Sequence, residues 1–173
     1  LYSANWHHYW DDFWALGGFD YAIQAAQMLG FSNDVHWLTQ DRNALQLAVL
    51  NGVKALAKPG QPAVIPNGPE DTTTTAMARS ATPAIWPVEA LDPNSQLVQS
   101  SFQLYYELDI KPYGGAYLHY NYHYWPYADV SLAHAFYRLG RMDQTTQILN
   151  WVLDHQTAPN LYAWAEIVRP DNF

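Results

Sequence analysis

A helix–glycine–helix pattern occurs twice in this 173-residue chain, and it constrains the fold more than any other feature. Ala25-Ala26-Gln27-Met28-Leu29-Gly30 precedes Asp34 and a helical stretch containing Trp37-Leu38. Ala135-Phe136-Tyr137-Arg138-Leu139-Gly140 precedes Asp143 and a stretch containing Trp151-Val152. In each case a helix runs into a Leu-Gly stop, a short acidic turn follows, and a second helix begins. Glycine suits such stops because it accepts the left-handed backbone conformation that ends many helices. Each first helix also opens beside a Tyr-Trp pair, Tyr9-Trp10 or Tyr124-Trp125. The pattern predicts an all-α fold of helical hairpins whose first helices start at one aromatic rim. Helix N-termini at that rim present N–H groups and a positive dipole end, which favour carboxylates.

Apolar spacing fills in the elements. Steps of three and four residues predict a helix from Asp11 or Asp12 to Leu29, with Leu16, Phe19, Ile23, Ala26 and Leu29 inward. Gly17-Gly18 inside it costs about 1 kcal/mol per glycine relative to alanine and marks a close contact or a kink. Ser32-Asn33-Asp34 offers a cap for a second helix over about 35–57, with Leu38, Leu45, Val49 and Val53 along one side. Asp41-Arg42 falls on its solvated face. Four prolines between Lys58 and Asp71 forbid a regular helix there. A short helix is expected over 75–80, with Ala84-Ile85-Trp86 extended between Pro83 and Pro87. Asp92-Pro93 reads as a helix start, with Leu97, Val98, Phe102, Tyr105 and Leu108 inward. The tyrosine-rich stretch 109–125 is irregular, with room for a short hairpin. Pro126 opens a helix ending at Leu139-Gly140, and 141–156 forms another. The tail from Thr157 is loop-like or starts a further helix.

Composition narrows the partners. With 49% hydrophobic residues the chain has enough apolar material for one domain with a core, and disorder is excluded. Its 8 Trp and 13 Tyr outnumber 6 Phe, a bias toward rings with a polar handle that suits a wet, lined cleft. The net charge is −8, and the eight Lys and Arg are scattered singly, which argues against nucleic acid. No apolar run approaches the ~20 residues of a membrane span. The absence of cysteine excludes disulfides and thiolate metal sites and is compatible with a secreted or periplasmic chain. No signal peptide is visible, and a start at Leu1 suggests a processed chain or a piece of a longer one. There is no His-Glu-x-x-His, phosphate loop or Gly-x-Ser-x-Gly. His7, His8, His119, His123 and His134 therefore read as satisfied or sugar-contacting side chains, and neither metal nor cofactor is implied.

The candidate site begins at the N-terminus. Trp6, Tyr9, Trp10, Phe13 and Trp14 crowd into nine residues with Asp11 and Asp12. Flat rings cover the C–H faces of a sugar, and carboxylates accept bonds from its hydroxyls or move protons. Asp11 and Asp12 have a plainer reading as first-turn acids that favour the helix dipole. Glu166 follows Tyr162-Ala163-Trp164-Ala165, an aromatic, nearly uncharged setting. Burial there would favour the protonated acid that general acid catalysis requires. Its plainer reading is a surface pair with Arg169. Glu89, after Trp86-Pro87, is a third carboxylate beside an aromatic, or else a surface loop acid.

Tyr9-Trp10-Asp11-Asp12-Phe13-Trp14-Ala15-Leu16 and Tyr162-Ala163-Trp164-Ala165-Glu166-Ile167-Val168 resemble the bacterial glycoside-hydrolase-like proteins of six-hairpin (α/α) toroid fold. These are relatives of glucoamylase, trehalase and the processing glucosidases. The likeness covers both ends and the stretch 125–153, and is loose across the proline-rich middle. It implies cleavage of glycosidic bonds by inversion, with one acid protonating the leaving oxygen and a second carboxylate activating water, roughly 6.5–9.5 Å apart. Glu166 would be one, with Glu89 or a residue outside the chain as its partner. Tyr9, Trp10, Asp11, Asp12, Trp86, Tyr124, Trp125 and Trp164 would hold the carbohydrate. A full toroid needs ~12 helices and about six are read here, so residues 1–173 are expected to form a single partial toroid domain, completed by a longer chain or a second subunit. The alternatives are a non-catalytic carbohydrate-binding helical domain and a polysaccharide lyase. Tyrosines and histidines suit the lyase; the scarcity of Lys and Arg to neutralise a uronate does not.

Overall fold

The computed structural model describes residues 7–56, 63–71, 78–118, 123–158 and 162–169. It is all-α. Helices α1 (Tyr9–Leu29) and α2 (Ser32–Ala55) form one hairpin, and α6 (Pro126–Arg138) and α7 (Met142–Asp154) form another. Between them lie α3 (Ala78–Ile85), α4 (Gln96–Tyr105), a π-helical turn (Tyr106–Ile110) and α5 (Lys111–Tyr113). A two-residue antiparallel ribbon pairs β1 (Tyr117–Leu118) with β2 (His123–Tyr124).

The two stops are the same device. Gly30 and Gly140 sit at φ 75° and 72°, the left-handed region. Phe31 N–H donates to the Ala26 carbonyl, and Arg141 N–H to the Phe136 carbonyl, both at 2.9 Å. These six-to-one bonds satisfy carbonyls that a helix end otherwise leaves open. The repeat in sequence is thus a repeat in backbone geometry.

Helix α3 is the hub. It packs on α1, α6 and α4, and Ala81, Thr82, Ala84 and Ile85 are all buried. This corrects the extended segment expected at Ala84-Ile85-Trp86. Pro83 deletes a single backbone bond in so short a helix, and burial on several sides outweighs that loss. The expected start at Thr75 lies outside the described residues. The core around α3 draws Phe13 and Leu16 from α1, Val49 and Val53 from α2, and Val98, Phe102 and Tyr105 from α4. Leu132 and Phe136 of α6 and Ile148 of α7 complete it. Phe102 meets Tyr105 and Phe136 edge-on, at 5.7 and 5.5 Å between ring centres.

Other boundaries moved for identifiable reasons. Ser95, not Asp92, caps α4: its hydroxyl accepts from Val98 N–H, while Asp92 accepts from Asn94 N–H in the preceding turn. The π turn carries an extra residue, so Leu108 turns outward while Asp109 and Ile110 turn in. Arg42 is not solvated: it forms a half-buried pair with Asp20 of α1 at 2.9 Å and so ties the first hairpin together. The described part of the tail, 162–169, is loop. It is held by isolated bridges of Ala158 to Ala163 and Tyr124 to Val168. No described helix is long and apolar enough to cross a membrane.

Candidate functional site

Trp10 is the second residue of α1, Trp125 caps α6, and Tyr127 is the second residue of α6. Their rings meet: Trp10 lies 6.5 Å from both Trp125 and Tyr127, and those two lie 5.4 Å apart. Trp14, one turn further along α1, meets Trp10 edge-on at 6.0 Å. The N-terminal ends of both hairpins therefore share one aromatic rim. Tyr127 was not among the site residues read from sequence, and Trp14 was read only as part of the N-terminal aromatic cluster. The signal for Tyr127 was its place in the first helical turn, directly after Trp125-Pro126.

A cavity of about 700 Å³ opens beside this rim, lined by Trp125, Tyr127, Val130, Val152, Trp164 and Glu166 among others. Its far wall is the tail, held in place by four bonds. Trp164 Nε1–H donates to the Val152 carbonyl at 2.7 Å. Ala165 N–H donates to the Thr157 hydroxyl at 2.8 Å. Tyr124 and Val168 exchange both backbone bonds. Trp10, Trp125, Trp164 and Glu166, separated by more than 150 residues of sequence, come together here. Glu166 is exposed at the cavity mouth, so the burial expected to hold it protonated is absent.

The remaining candidates lie elsewhere. Glu89 pairs with Arg138 at 2.6 Å. Arg138 ends α6, twelve residues past Pro126, about 18 Å along the axis from the rim. Glu89 and Glu166 line separate cavities, so they do not face one another across one site as an inverting pair must. Glu89 lines a smaller cavity of about 450 Å³ with Asp20, Tyr21 and Gln24. Trp86 packs at a tilt against His134 at 4.2 Å, along the middle of α6 and away from the rim. Tyr9 is buried, its hydroxyl against Gly52 of α2, which corrects its reading as a sugar contact. Tyr124 is buried too, stacked on Trp151 at 4.6 Å with its hydroxyl donating to the Tyr113 carbonyl. In both Tyr-Trp pairs the tyrosine anchors and the tryptophan faces the rim.

Asp11 is exposed and Asp12 half-buried in the first turn of α1. Burial, aided by the neighbouring Asp11, pushes the Asp12 carboxyl above its ordinary range, with His7 opposing. His7 itself hydrogen-bonds Glu70 at 2.5 Å, which raises the imidazole and lowers the Glu70 carboxyl. His123 is buried in β2, and His119 lies outside the described residues. Among the described residues no group of three His, Asp or Glu is arranged to hold a metal.

One buried acid escaped the sequence reading. Asp129, in the first turn of α6, is fully buried. One of its oxygens accepts from Ala116 N–H at 2.5 Å, and the other has no hydrogen-bond partner among the described residues. Burial raises its carboxyl from the ordinary 3.8 to about 7, against the lowering effect of the Ala116 bond. Its position after Pro126 was readable as a first-turn acid. Its burial was not, because the covering segment at Gly115-Ala116 comes from before the ribbon.

Compared with models of known families, with curated proteins and with solved structures, the chain finds no match in any of the three.

Proposed function

We propose that this chain is part of a carbohydrate-active helical toroid of the glycoside-hydrolase type, and that the Trp10–Trp125–Tyr127–Trp164 rim binds a sugar. The observation that carries the proposal is the meeting of the Trp10, Trp125 and Tyr127 rings beside a cavity that Trp164 also lines, with Glu166 at its mouth. Tryptophan and tyrosine faces stack on the C–H faces of a sugar ring, while indole and phenol edges remain free for hydroxyls. A carboxylate at the same mouth accepts bonds from those hydroxyls and is placed to exchange a proton with the glycosidic oxygen or with water. With no lysine among the cavity-lining residues, the site suits a neutral sugar better than a uronate, which weighs against the lyase.

Hydrolysis by inversion needs a second carboxyl opposite Glu166, and Glu89 lines a different cavity. That geometry favours, as a second reading, a sugar-binding domain whose partner acid is supplied by further segments of the ring or is missing. One experiment separates the two. Neutral mono- and oligosaccharides are titrated while tryptophan fluorescence is read, and release of reducing ends is assayed in parallel. Binding that Trp125→Ala weakens at least tenfold supports the rim. Turnover lost in Glu166→Gln with binding retained supports hydrolysis. Binding without turnover supports the second reading, and no binding rejects both.

A further inference from the structure

We infer that the exposed seam of α1 is a docking surface for a second copy of this chain, packed antiparallel about a two-fold axis. The inference is independent of the sugar reading. Trp14, Gly18, Tyr21, Ala25 and Met28 follow one another at alternating four- and three-residue steps, which sets them on one face of the helix. All five are exposed, Tyr21 by 69% and Met28 by 88%. The packed side of the same helix holds Phe13, Leu16 and Gly17, and its neighbours are α2 and α3.

The two adjacent glycines make the case. A methyl group on Gly17 would lie 2.9 Å from Val88, so contact within the chain accounts for that glycine. A methyl group on Gly18 would meet nothing within 4 Å. A glycine inside a helix weakens it, and nothing among the described residues offsets the weakness at Gly18. Set between Trp14 and Tyr21, it forms the flat spot at which another helix backbone can approach closely.

Charge selects the direction of the pairing. Helix α1 holds no lysine or arginine, and its acids are Asp11, Asp12 and Asp20. Asp20 is matched by Arg42, and Tyr21 to Leu29 carries no charge. A parallel copy would set Asp11 and Asp12 against their own equivalents. An antiparallel copy sets them beside the uncharged half. With the axis near Tyr21, Trp14 faces Met28 and Gly18 faces Ala25, a seam complementary to itself. The exposed seam amounts to roughly 600 Å² per copy, most of the ~800 Å² per partner of a standard interface. Leu29 and Phe31, 66% and 54% exposed at the same end, extend it.

Light scattering across a concentration series tests this. The expected molar mass is twice the 19.8 kDa of the chain at tens of micromolar, falling on dilution. Added salt should strengthen the pairing, since it screens the −8 charge on each copy. Gly18→Ala should raise the thermal midpoint of the dilute chain by a few degrees yet weaken association at least tenfold, two changes of opposite sign. Tyr21→Glu should abolish association with the helical circular dichroism retained. A single-chain mass at all concentrations overturns the proposal, and means that the seam is left for another segment or partner. A doubled mass unaffected by either substitution overturns it too.

Discussion

Asp129 carries the largest electrostatic tension among the described residues. Its carboxyl titrates near 7 in the folded chain and near 3.8 when unfolded. Between those values the native state holds a proton that the unfolded chain has released, so stability falls as pH rises across the window. The stability due to the neutral acid is complete below about pH 4 and is lost by about pH 7, amounting to at most about 4 kcal/mol. Asp129→Asn keeps the shape and the acceptor for Ala116 N–H without a titrating charge. Urea unfolding from pH 4 to 8 should show the parent losing stability through that range and the variant holding level, with the variant the more stable at pH 8. Parallel profiles for both would reject this role. Residues of this kind were the least legible in the sequence. Tyr9 and Tyr124 read as sugar contacts because tyrosine suits a wet cleft. What buries them is a glycine on another helix in one case and Trp151 in the other, and neither pairing leaves a mark on local spacing.

At the scale of elements the sequence spoke more plainly. Both hairpins, their glycine stops and the Pro126 helix start were readable, because each depends on a local rule of backbone conformation or periodicity. The start of α3 overlaps the short helix expected over 75–80, but its run through Pro83 to Ile85 and the π turn were not readable, since tertiary burial there overrides a proline and shifts a register. The stops allow a matched prediction. Gly30 and Gly140 hold nearly equal positive φ, and a methyl group at either would meet nothing within 4 Å. Only the backbone strain of an L-residue is therefore in play, about 1 kcal/mol at each site. Gly30→Ala and Gly140→Ala should lower the unfolding free energy by similar amounts and add in the double variant, the two sites lying in separate hairpins. A cost confined to one site, measured by chemical denaturation, would mean that the two hairpins are not equivalent.

The whole molecule brings its aromatic rim together from three places far apart in the chain: the start of α1, the start of α6 and the tail. The first two are positioned by α3, which packs on both helices. The described part of the tail has no helix of its own, and the cavity wall it forms depends on a few named bonds. This explains why the placing of Trp164 and Glu166 on one wall was legible in the sequence while the place of Glu89 was not. The Trp-Glu motif is local, whereas the distance between two carboxylates is a property of the assembled fold. It also separates stability from binding. Trp164→Phe keeps an apolar ring at the wall but removes the Nε1–H that anchors it to the Val152 carbonyl. One lost hydrogen bond costs about 1 kcal/mol, and in the loosely held tail little of that cost reaches the global transition, because such segments open locally. The expected result is a thermal midpoint within about 2 °C of the parent and sugar affinity reduced about five- to tenfold, since the wall no longer holds its position before the ligand arrives. Calorimetric melting and fluorescence titration on the same sample read the two effects separately. A large fall in midpoint with unchanged affinity would instead make the tail a stabilising strap with no part in binding.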